Sequence, residues 1–100
     1  MNKTEILETF EWALFTEMFI KWEAILTGDD ETSRRHNSAA TGQIHLIHQL
    51  LGSRYYHKIN RIVEAVDTKA AAKAAARYAR WNPEQGRTET PEETIAATLS

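Results

Sequence analysis

Three groups of side chains in this chain have types and spacings that could do chemistry: a histidine pair, a row of cations and a row of aromatics. His45 and His48, in the run HLIH, stand three apart and share a helix face, a spacing that can hold a metal ion. The chain has no HExxH, and no glutamate three residues before a histidine as di-iron bundles require. Beside Ile44, Leu46 and Ile47 the pair reads instead as boundary residues making ordinary hydrogen bonds. A pH-dependent role in assembly is the other use such histidines have. No metal and no cofactor is expected.

Lys69, Lys73, Arg77 and Arg80 recur at spacings of 4, 4 and 3, which on a helix places them within about 80° of one another. Such a row can track phosphates, with Tyr78 or Trp81 available to stack on bases. It can equally meet an acidic protein surface, or be the solvated side of a helix whose alanines pack on a neighbour. Trp12, Phe15, Phe19 and Trp22, at spacings of 3, 4 and 3, form an aromatic stripe. Buried, the stripe is core; exposed, it is an anchor cluster of the kind that dominates binding energy at interfaces.

The catalytic constellations are missing. There is no GxSxG elbow, P-loop or GxGxxG, and no cysteine to act as nucleophile, zinc ligand or disulfide partner. A non-enzyme is expected, and the lack of cysteine fits a reducing cytoplasm.

These groups need elements to position them, and the periodicity is helical throughout. Residues 4–27 carry apolar side chains around most of a helical circumference, with Leu7, Leu14, Met18 and Ile25 on one line. Asn2 with Glu5 makes a capping box at its start, and Gly28 supplies the stop. Five charges within the apolar region, from Glu8 to Glu23, argue against a membrane span. A signal peptide is likewise not expected, for want of a basic start and an unbroken apolar run.

Residues 28–38 contain no apolar side chain and read as a loop, although Asp29, Asp30 or Ser33 could cap an earlier helix start. Ala40, Ile44, Ile47 and Leu51 predict a helix over 39–51. Tyr55, Ile59, Ile62 and Val66 predict another over 54–66. The alanine-rich 68–81 segment is either a further helix capped by Asp67 or a continuation of the third. Thr90, Pro91 and Glu93 predict a short helix over 91–99 within a loosely attached 83–100 tail.

The expected fold is therefore all-α, a compact single-domain bundle of four to five helices over residues 1–100. Charge is segregated along it. Residues 1–31 carry two basic and eight acidic side chains, whereas 32–81 carry nine basic and two acidic. A chain of this length hides only about two-thirds of its unfolded surface, so two aromatic-rich faces on one helix predict a dimer or another protein partner.

The functional expectation is a non-catalytic helical protein–protein interaction module. A small cytoplasmic inhibitor or adaptor, phage-type in character, acting on a larger complex would fit. Its interface would be Trp12, Phe15, Phe19 and Trp22, and no membrane is involved. The alternative is a nucleic-acid-binding protein, or a nucleoprotein-complex subunit, using Lys69, Lys73, Arg77 and Arg80.

Overall fold

The computed structural model describes residues 2–81. Among them the chain is all-helical: α1 (Lys3–Thr27), α2 (Asp30–Leu51), a single 3-10 turn (Ser53–Tyr55) and α3 (Tyr56–Trp81). No helix of the described residues is long and apolar enough to cross a membrane.

Each boundary has a local cause. Asn2 accepts from the Glu5 amide at 2.8 Å while its own amide reaches the Glu5 carboxylate at 3.1 Å, closing a reciprocal cap over the first turn of α1. At the other end Gly28 takes φ +78°, a left-handed conformation that favours glycine. Its N–H bonds the Ile25 carbonyl, and the Asp29 N–H bonds the Ala24 carbonyl at 2.8 Å, a Schellman stop. Gly52 ends α2 differently: at φ +76° and ψ −177° its N–H bonds the His48 carbonyl at 2.9 Å and the chain then leaves the helix for the 3-10 turn.

Two expectations are corrected here. Among the described residues there are three long helices rather than four to five, and the segment expected to be a loop over 28–38 is the first half of α2. The reason is Asp29. Its carboxylate accepts from the Thr32 hydroxyl at 2.6 Å and from the Thr32 amide at 3.1 Å, so α2 starts nine residues before the apolar row that marked residue 39. Segments 54–66 and 68–81 are one helix. Asp67 does not cap a new one, because its side chain is bonded across to α1. The tail over 83–100 and its 91–99 helix lie outside the described residues.

The Thr32 bonds, the side-chain one foremost, and the charge of Arg35 hold the Asp29 carboxyl below its ordinary value of 3.8. A carboxyl whose pKa is lower folded than unfolded contributes stability above the unfolded value and loses it as pH falls through the folded one. Asp29→Ala therefore lowers the melting temperature at neutral pH, and its gap from wild type narrows below pH 3.8. A gap of constant size across a thermal-melt series from neutral to strongly acidic pH would show that the cap contributes nothing through its charge.

The three helices run up, down and up, and α1 is the middle one. It packs extensively on both α2 and α3, which touch each other little. The described body is elongated, 48 × 24 × 21 Å. Leu7, Phe10, Leu14, Met18, Trp22 and Leu26 run down α1 as the spine of the core. Against it α3 sets Ile59 and Val66 and then Ala70, Ala71, Ala74 and Ala75, all buried. Small side chains let the backbones approach closely there, and alanine is also the strongest helix former.

Three of the five charges that interrupt the apolar arcs of α1 are met by a neighbour. Glu17 pairs with His36 of α2. Lys21 reaches Asp67 of α3 at 3.5 Å, and Glu23 meets Arg77 of α3 at 3.1 Å. The acidic first helix and the basic third one thus satisfy part of each other's charge within the chain.

Candidate functional site

The aromatic stripe of α1 is divided by the fold. Trp22 is 1% exposed, and its indole N–H donates to Asp67 at 2.8 Å, so it belongs to the core. Phe15 and Phe19 are half-buried and stacked at 5.9 Å. Trp12 is 73% exposed, the most exposed large apolar side chain among the described residues.

The cation row of α3 lies along that stripe. Lys69 and Lys73 both stand 5.6 Å from the centre of the Phe15 ring, and Arg77 stands 5.9 Å from that of Phe19. Cations over ring faces gain about 0.5–1 kcal/mol each at exposed sites. Their aliphatic stems cover ring surface while the charged heads stay in water. Arg77 is further tied to Glu23. Lys69 and Lys73 have no carboxylate within ion-pair distance among the described residues. Arg80 lies in the last turn of α3.

Between the two rows runs a groove of about 340 Å³, lined by Glu8, Glu11, Trp12 and Phe15 from α1 and Val66, Lys69 and Lys73 from α3. Its floor is apolar and aromatic, and its rims carry two carboxylates on one side and two ammonium groups on the other. An arrangement of this kind can seat an apolar side chain on Trp12 and Phe15 while pairing charges of both signs around it.

A second, smaller groove of about 210 Å³ opens between α1 and α2, lined by Ile6, Thr9, Phe10, Ala13, Gln43, Leu46, Ile47 and Leu50. Leu46 and Leu50 are 56% and 64% exposed. Both leucines flank the row of Ile44, Ile47 and Leu51 that packs on the core, and do not join it. Their spacing of four, offset from Ile47 and Leu51, was the available signal for a second apolar row.

His45 is exposed and His48 is half-buried, its ring 5.3 Å from that of Tyr56. Among the described residues no three His, Asp or Glu side chains are grouped to hold a metal ion. Compared with protein-family models, curated proteins and solved structures, the chain matches none.

Proposed function

We propose that the protein is a non-catalytic helical interaction module, an inhibitor or adaptor that acts by occupying a site on a larger protein assembly. One observation carries this reading: Trp12, 73% exposed, lines a groove with an aromatic floor and charged rims of both signs. A solvent-facing tryptophan forgoes the large apolar burial that the other α1 aromatics obtain, and on binding it supplies the commonest kind of interface anchor. The partner surface that fits presents an apolar side chain flanked by an acidic group toward Lys69 and Lys73 and a basic group toward Glu8 and Glu11.

The nucleic-acid reading draws support from Lys69 and Lys73, whose charges no carboxylate neutralises among the described residues. Against it, Glu8 and Glu11 share the same groove and repel phosphate, and Arg77 is held by Glu23. We expect no saturable binding when labelled mixed-sequence single- or double-stranded nucleic acid is titrated at low salt. Binding that weakens steeply with salt and disappears in Lys69→Glu/Lys73→Glu would replace the protein-partner reading.

Affinity capture with the wild-type chain, Trp12→Ala and Lys69→Glu/Lys73→Glu tests the proposal. Trp12→Ala is expected to stay folded and to weaken the captured complex at least about 30-fold, the loss of a hot-spot anchor. Equal recovery of the same protein by wild type and Trp12→Ala would remove the groove from the interface.

A further inference from the structure

We infer that the outer face shared by α1 and α2 is a self-association surface, on which a second copy of this chain docks about a two-fold axis passing close to Gln43 and Ile44. This face is separate from the Trp12 groove and does not depend on it.

The first observation is shape. Along α2, Ala39, Gly42, Leu46 and Leu50 follow one another at spacings of 3, 4 and 4 and form one exposed row. Its two halves differ. Leu46 and Leu50 project into solvent, while a side chain at Gly42 would meet nothing within 4 Å, so the Ala39–Gly42 half is a hollow. An antiparallel two-fold axis near residue 44 lays the two leucines of one copy over the small residues of the other. Each copy then fills the other's hollow, as an isologous contact requires.

The α1 side of the face has the same symmetry. Ile6, Thr9, Ala13, Thr16 and Ile20 run large, small, small, small, large about Ala13, and none of them is charged. A partner copy meets this strip without stranding a charge on it, in a chain where 26% of residues are charged.

The second observation is charge at the ends of the face. Glu5 stands at the rim of one end and Arg35 at the other; the Glu5 carboxylate accepts from the Asn2 amide and the charge of Arg35 is felt by Asp29, yet neither makes an ion pair among the described residues. Within one chain they are separated by about 24 Å of helix rise. The same two-fold axis brings Glu5 of each copy to Arg35 of the other, twice per dimer.

Sedimentation equilibrium of the full chain tests this. Wild type is expected to dimerise reversibly. Leu46→Asp removes a knob, and Gly42→Phe fills the hollow in space that is open within the protomer. Each is expected to keep the far-UV helical signal and raise the dimer dissociation constant at least about 30-fold. Glu5→Arg and Arg35→Glu are each expected to weaken the dimer, and the double exchange to restore it. Trp12→Ala is expected to leave it unchanged. A wild-type chain that stays monomeric at every concentration, a dimer that survives both Leu46→Asp and Gly42→Phe, or one that dissociates only with Trp12→Ala would overturn the assignment.

Discussion

Trp22→Ala is expected to lower the unfolding free energy by about 3–5 kcal/mol, the range for deleting a buried tryptophan side chain. Two losses combine. The indole fills space between α1 and α3 at 1% exposure, so its removal leaves a cavity toward the C-terminal end of the core spine. It also takes away the N–H that donates to Asp67 at 2.8 Å, leaving that partly buried carboxylate with Lys21 alone at 3.5 Å. Since a domain is stable by only about 5–15 kcal/mol, much of the population should unfold in mild urea. Trp22→Phe separates the terms, because it keeps most of the apolar volume and loses only the hydrogen bond, at a cost of about 1–2 kcal/mol. Urea denaturation followed by far-UV circular dichroism reads both. A Trp22→Ala protein as stable as wild type would mean that α3 does not pack on α1 as described.

The second large effect is expected at the alanine face of α3. Ala70 and Ala74 are fully buried one helical turn apart, and Ala71 and Ala75 nearly so. Leucine is almost as good a helix former as alanine, so Ala74→Leu leaves local propensity intact and tests only the space available. Overpacking of this kind costs about 1–3 kcal/mol, and Ala70→Leu/Ala74→Leu together should exceed either alone because both press on one contact. Ala72→Leu, at an exposed position on the same helix, is the matched control and should change stability little. If all three variants melt alike, the close α1–α3 approach is wrong. Raised melting temperatures for the buried positions would mean the same, since they would indicate spare room there.

Much of the fold was legible in the sequence because its signals are local. The Asn2–Glu5 box and Gly28 mark α1, and the recurrence of Leu7, Leu14 and Met18 follows its buried line, which continues through Trp22 and Leu26 and leaves Ile25 half-buried. The first half of α2 was not legible. Its polar run carries no apolar period, and only the capping strength of Asp29 together with Thr32 makes it helical. The continuity of α3 turned on Asp67, whose side chain serves a tryptophan 45 residues away, a long-range contact that no local pattern encodes.

The candidate site was legible by residue type and not by arrangement. Four aromatics at helical spacing cannot reveal which of them a neighbouring helix will cover. That depends on α3 lying along one flank of α1, where Lys69, Lys73 and Arg77 reach Phe15 and Phe19 while Trp12 is left outside. The acidic and basic segments, which the sequence could assign either to internal pairing or to a partner, are divided between the two. Glu23, Lys21 and Glu17 pair internally, whereas Glu8 and Glu11 face Lys69 and Lys73 across an open groove.

The most direct test of the interaction reading is fluorine NMR on fluorotryptophan-labelled protein, titrated with the captured partner. Resonances are assigned by replacing each tryptophan with phenylalanine in turn. The account predicts that the Trp12 resonance is solvent-sensitive in the free protein and shifts or broadens as the partner is added, while that of Trp22 stays in place. A Trp12 resonance unchanged at saturation would contradict it, and would remove the groove between α1 and α3 from the function of the protein.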